Sequence, residues 1–192
     1  MKLVVKNGLV GVEVPDPILR EMESEYVSKY PDQPVLNSHT VHKSSESRKA
    51  GILGELVFGW LYPESQKSED LRWDFNHSGK RVDVKCKYRN VDPDLSKHEA
   101  SVFYYQTSNR MVDMYYFMST IPSFRIVWLC GYISRQMLVC HPNRKVWQKG
   151  ETDPSNGKVF RENTVSVYYL HINRININKL VENSLKIGIK NA

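Results

Sequence analysis

The chain has 192 residues, of which 41% are hydrophobic and 25% charged, with a formal net charge of +6. This length suits one domain with a substantial core, while the apolar runs fall far short of membrane-spanning length and Met1–Lys6 lacks a signal-peptide core, which argues against a membrane or secreted protein. Cys86, Cys130 and Cys140 are too few for a disulfide framework, so reduced thiols in a cytoplasmic protein are expected.

In chain order, Leu3–Val5 and Leu9–Val14 read as short strands. Pro15–Tyr30 reads as an amphipathic helix, with Ile18, Leu19, Met22, Tyr26 and Tyr30 at helical spacing and Pro17 in the first turn. A polar linker over Asp32–His42 leads to a second helix, capped at Ser44 or Ser45 and ending before Pro63. A hairpin over 71–87 and a loop through 90–94 follow. Ser101–Thr107 and Val112–Thr120 read as strands, Phe124–Ile133 as the most buried strand, and Ser134–Val139 as a short helical turn. After a loop over Asn156–Phe160 come a strand at Thr164–Ile172 and a terminal helix at Ile175–Ser184. Interleaved strands and helices predict an α/β domain, a central mixed β-sheet flanked by helices. Its core would span about 44–135, with a basic C-terminal extension over about 136–192.

The hairpin carries the most informative residues. Val82, Val84 and Cys86 alternate with Asp83, Lys85 and Lys87, so the apolar set takes one face and the charged set the other. Leu71–Phe75 is read as the partner strand, with a turn over Asn76–Gly79 centred on His77-Ser78. That register pairs Asn76 with Gly79 and Asp74 with Arg81, which puts Asp74 and Asp83 diagonally on one face, roughly 7–8 Å apart at Cα. Two such carboxylates with Lys85 beside them can hold a hard divalent cation and set an ammonium next to it.

Glu55 lies in the second helix among Ile52, Leu53, Leu56, Val57 and Phe58, where an unpaired charge is costly. Arg48, seven residues earlier on the same face, is one partner; the hairpin carboxylates offer a shared site instead. Gly51 and Gly59, four residues to either side, would let the helix approach the hairpin.

Gly51-x-x-Gly54-Glu55, Asp74 and Asp83-Val84-Lys85 together resemble the PD-(D/E)xK nuclease superfamily, in its small phage-type and resolvase-like branches with a helical glutamate. The resemblance covers roughly residues 44–119. It implies a restriction-endonuclease-like core and a deoxyribonuclease dependent on Mg²⁺ or Mn²⁺, acting in recombination, repair or phage DNA processing. Glu55, Asp74, Asp83 and the Val84 carbonyl would hold the metal, and Lys85 would orient the attacking water. Trp73 stands where the family commonly has proline, and Asp83 is one methylene shorter than the commoner glutamate. Homodimers are frequent in the family, RNA stays open as a substrate, and a phage origin would put the protein in host cytoplasm.

From residue 121 onward there are eleven Lys and Arg against four Asp and Glu, so the positive excess is C-terminal. Arg135, Arg144, Lys145 and Lys149, with Lys158 and Arg161 near Trp147 and Phe160, are candidate nucleic-acid contacts. Lys87 could touch a phosphate, and Gln106, read as sharing a strand face with Val102 and Tyr104, could support the site. Tyr104 or Tyr105 could stack on a base. His39-x-x-His42 and Cys140-His141 lack the spacing of a zinc site. The alternative function is a non-catalytic nucleic-acid-binding protein that keeps the same fold.

Overall fold

In the computed structural model, residues 2–31, 45–108, 111–154, 157, 159–176 and 178 are described. β1 (Leu3–Lys6) and β2 (Leu9–Glu13) form a hairpin turned at Asn7-Gly8, both at positive φ. Two such residues make the tight turn that matches strand twist. α1 (Asp16–Lys29) starts after Pro15, with Pro17 in its first turn, and α2 (Ser45–Leu61) stops two residues before Pro63. Next come β3 (Gln66–Lys67), β4 (Phe75–His77), β5 (Lys80–Tyr88) and β6 (Glu99–Phe103). They are followed by α3 (Tyr104–Ser108), β7 (Met114–Thr120) and β8 (Ile126–Ser134). α4 (Arg135–Cys140), capped by the Ser134 hydroxyl, leads to β9 (Lys145–Trp147) and β10 (Thr164–Tyr168), which ends in a 3-10 turn at Tyr169–His171.

The strands form a seven-stranded sheet in the order β1-β2-β8-β7-β5-β4-β3 and a three-stranded sheet in the order β6-β10-β9. β5 and β7 pair in parallel and the other neighbours are antiparallel, so the domain is α/β with a mixed central sheet. β7 shows why its sequence is continuously apolar. Tyr116 and Met118 pack into the core under α1 and α2, with Leu53, Val57, Phe58, Val82 and Val84. Tyr115 and Phe117 pack the other way, with Val102, Val165 and Val167 of the small sheet. A strand covered on both faces needs no polar alternation. Full burial of each of these side chains contributes about 1.5–3 kcal/mol. Helices therefore cover one face, and the small sheet covers most of the other.

Three expectations change. The hairpin turns at Ser78-Gly79, not His77-Ser78, pairing His77 with Lys80, Asn76 with Arg81 and Phe75 with Val82. Ser78 and Gly79 have φ of 49° and 72°, and Gly79 takes the second of the two positive-φ positions. Moving the turn by one residue moves the register by two, so the facing of the paired residues Phe75–His77 is preserved. The strand expected over Ser101–Thr107 ends at Phe103, so Gln106 lies on α3 and not on a strand face with Val102. The strands β3 and β9 were not foreseen. The linker at 32–42 with its two histidines, and most of the terminal helix at 175–184, lie outside the described residues. Among the described residues no helix is long and apolar enough to cross a membrane. All three cysteines are free thiols; Cys130 is buried and Cys140 exposed.

Candidate active site

The site begins with an interrupted strand. β7 pairs with β5 over Val82–Tyr88, whereas β4 pairs with it only over Lys80–Val82. Beyond Val82 the β4 side of β5 is open. The Val82 carbonyl accepts from the Asp74 N–H on that side (2.9 Å), and the Val84 N–H donates there to Asp74 Oδ2 (2.6 Å). A residue's N–H and C=O leave a strand on the same side, so the Val84 carbonyl faces the open edge too.

Asp74 owes its position to a bulge. Its N–H bonds to the carbonyl of Val82, the residue already paired with Phe75, so two residues stand against one. The bulge turns the Asp74 side chain along the edge of β5, where its carboxylate continues the ladder in place of a backbone carbonyl. Asp83, the next residue of β5, is only 5% exposed, and its Oδ2 lies 2.7 Å from Lys85 Nζ. Burial, helped by the charges of Asp83 and Glu55, pushes the Asp74 carboxyl up to about 7. Asp74 thus feels the charges of both Asp83 and Glu55.

α2 brings Glu55 to this edge by close packing on β5. A Cβ on Gly54 would lie 2.5 Å from the Cys86 Cβ and 3.5 Å from Val84 Cγ1. Gly54 is therefore the glycine that admits the helix. Gly51 has open space around it, and Gly59 meets Phe75 at ordinary contact distance, which corrects the roles expected for that pair. Glu55 Oε2 lies 3.7 Å from Lys67 Nζ, and Lys67 also reaches Glu25 of α1 at 3.4 Å. Burial raises the Glu55 carboxyl above its ordinary value, Glu25 and Asp83 add to the rise, and Lys29 and Lys67 oppose it. The Arg48 guanidinium lies over the Tyr30 ring, 4.6 Å from its centre.

One cleft of about 980 Å³ takes in Glu55, Asp74, Asp83, Val84, Lys85, Lys87 and Gln106. Its remaining walls include Arg89, Phe103, Tyr105, Phe160 and Arg161. Lys87 is committed to structure, donating to the Glu99 carbonyl (2.9 Å) and the Ser101 hydroxyl (2.6 Å), so it ties β5 to β6. Gln106 Oε1 accepts from the Phe103 N–H at 3.3 Å and fixes the strand-to-helix corner.

Of the basic residues expected at the nucleic acid, Arg161 lines this cleft, whereas Arg135, Arg144, Lys145 and Lys149 do not. Arg135 donates to the Thr107 carbonyl, Lys149 sits 3.6 Å from Glu162, and Arg144 is exposed elsewhere. Lys145 is held by Glu99 (2.7 Å) and the Tyr168 hydroxyl (2.8 Å). Lys158 is outside the described residues. The cations that do line the cleft are Lys85, Lys87, Arg89 and Arg161. Arg89 was missed, although it continues the alternation of 83, 85 and 87. Lys67 was missed because a two-residue strand leaves no periodic signal.

Among the described residues no three His, Cys, Asp or Glu side chains form a group that could enclose a metal ion. Asp74, Asp83 and the Val84 carbonyl are nevertheless hard oxygen donors on one edge, and their mutual repulsion is what a divalent cation relieves. Mg²⁺ in particular is commonly held by one or two carboxylates plus water and substrate phosphate. The donor set therefore fits such an ion, with Glu55 standing behind it on Lys67. No family model and no curated protein matches the sequence.

Proposed function

We propose that the protein is a metal-dependent nuclease of the PD-(D/E)xK type that hydrolyses phosphodiester bonds in DNA. The observation that carries this reading is the gathering of Asp74, Asp83 and Glu55 in one cleft at the open edge of β5, with Lys85 Nζ 2.7 Å from Asp83. Buried carboxylates of raised pKa, as Asp74 and Glu55 are, beside a further carboxylate and a lysine in one cleft, form an arrangement suited to chemistry.

Asp74, Asp83 and the Val84 carbonyl, with Glu55 behind, would hold Mg²⁺ or Mn²⁺. Bound there, the cation supplies charge neutralisation at the scissile phosphate and makes water a stronger acid. Lys85 carries its charge beside Asp83, where its ammonium can orient the attacking water and balance charge on the phosphate. Arg161 draws the phosphate backbone into the cleft, while Arg89 lies over the Tyr169 ring and donates to its hydroxyl at 3.2 Å. Lys87 keeps the small sheet against β5 and so holds the far wall in place.

The test is cleavage of linear, circular and branched DNA with Mg²⁺, Mn²⁺ or a chelator, for the natural protein and Asp83→Asn. Metal-dependent cleavage lost in the variant supports the reading. Binding without cleavage of any DNA would instead make the protein a nucleic-acid-binding module on the same fold.

A further inference from the structure

Phe103 and Tyr105 form a stacked pair, ring centres 5.6 Å apart and planes 16° apart. They contribute to the wall of the same cleft as Asp74, Asp83 and Lys85, yet they are 37% and 55% exposed. Neither ring belongs to the two cores; β6 supplies the core through Ala100 and Val102, and Phe103 points away from it. The corner that aligns the rings is built deliberately. Gln106 accepts from the Phe103 N–H, the Thr107 hydroxyl donates to the Tyr104 carbonyl (2.6 Å), and the Tyr104 N–H donates to the Asn163 carbonyl (2.7 Å). Phe160, which also borders the cleft, is itself buried in a parallel stack with Trp147 at 4.6 Å, and Arg161 follows it directly.

Exposed aromatic faces beside cations are the equipment of single-strand binding, because any base offers a flat face. In a duplex those faces are covered by neighbouring base pairs, and only the edges are accessible in the grooves.

We infer that the cleft takes an unpaired DNA strand, with Phe103 and Tyr105 stacking on bases while Arg161 holds a phosphate. As a statement about substrate, this rests on the nuclease reading of the same cleft. A blunt duplex is a poor substrate, and single strands or single-stranded tails are the good ones.

The experiment measures fluorescence anisotropy of labelled 20-nucleotide DNA on Asp83→Asn protein, as a single strand and as a blunt duplex of the same sequence. The cleavage of both is followed with natural protein and Mn²⁺. The single strand is expected to bind at least tenfold more tightly. Phe103→Ala with Tyr105→Ala should abolish that advantage without changing duplex binding or the melting temperature, and Tyr105→Phe, which keeps the ring, should retain it. Equal affinity for both forms, or an advantage that survives loss of both rings, would overturn the inference. Tighter binding of RNA of the same sequence would overturn its assignment to DNA. Cleavage of blunt duplex as readily as single strand refutes the strand preference and leaves the nuclease reading standing. Strand preference with no cleavage of any DNA does the reverse.

Discussion

Gly54 and Cys86 meet where no side chain fits between them: a Cβ on Gly54 would lie 2.5 Å from the Cys86 Cβ. That contact sets how near α2 comes to β5, and therefore whether Glu55 reaches the edge that carries Asp74 and Asp83. Gly54→Ala should lower unfolding stability by about 1–3 kcal/mol through overpacking and reduce cleavage with it. Gly51→Ala, on the same helix but with nothing within 4 Å, should instead raise stability by up to about 1 kcal/mol through helix propensity. Denaturant titration of the two variants separates the cases. Equal effects would mean that helix propensity, not close approach, governs both positions.

Asp83→Asn and Lys85→Ala should each reduce metal-dependent cleavage by at least about 100-fold. The fold should persist, because both side chains lie on the face of β5 opposite the Val82 and Val84 face that packs under α2. The circular dichroism spectrum reports the fold and a nicking assay the activity. Full activity in either variant would remove that residue from the chemistry.

The Asp74 carboxyl, raised from 3.8 to about 7, makes stability depend on pH. A raised folded-state value means the folded chain keeps a proton that the unfolded chain has already lost. The stability linked to that proton is complete below about pH 4 and is lost as pH rises through about 7. The metal-free protein should therefore melt at progressively lower temperature between about pH 4 and 7. Asp74→Asn, which can still accept from the Val84 N–H, should show a flatter profile, and Mn²⁺ should restore the natural protein at the alkaline end. Parallel profiles for the two proteins would show that Asp74 titrates in its ordinary range.

Lys87 is expected to behave as a structural residue. Lys87→Met leaves the Glu99 carbonyl and Ser101 hydroxyl without its ammonium, at a cost of about 1–3 kcal/mol. Its melting temperature should fall, while the activity of the protein that stays folded changes little. Unchanged stability with weakened DNA binding would return Lys87 to the role of a phosphate contact.

Local patterns were legible where local forces decide. The apolar run around Glu55 and the alternation from Val82 to Lys87 show in the sequence because each element buries one face. Asp74 and Asp83 line one cleft despite the wrong turn, but the bulge that sets Asp74 beside the edge of β5 had no signal in the alternation. What escaped depends on distant partners. The corner after Phe103 is held in part by Asn163, 60 residues on from it in the chain, and Lys145 is neutralised by Glu99, 46 residues away. The basic residues that cluster in sequence separate in the fold: Lys145 and Lys149 pair with Glu99 and Glu162, and Arg161 reaches the cleft. The covering of the central sheet by a second sheet has no local signature either, because β6 and β10 each read as ordinary strands.

The two walls of the cleft also differ in when they can form. Glu55, Asp74, Asp83 and Lys85 come from one continuous stretch, α2 to β5, joined by short connections. The aromatic wall needs β6 to meet β10, pairing Val102 with Val165 across a much longer loop. Chain entropy favours closing the short loops first. During folding the carboxylates would then gather on a half-built platform, and the ring-lined wall would close over them last. A growing chain released before residue 164 would carry the full set of charged site residues with no far wall to select what reaches them.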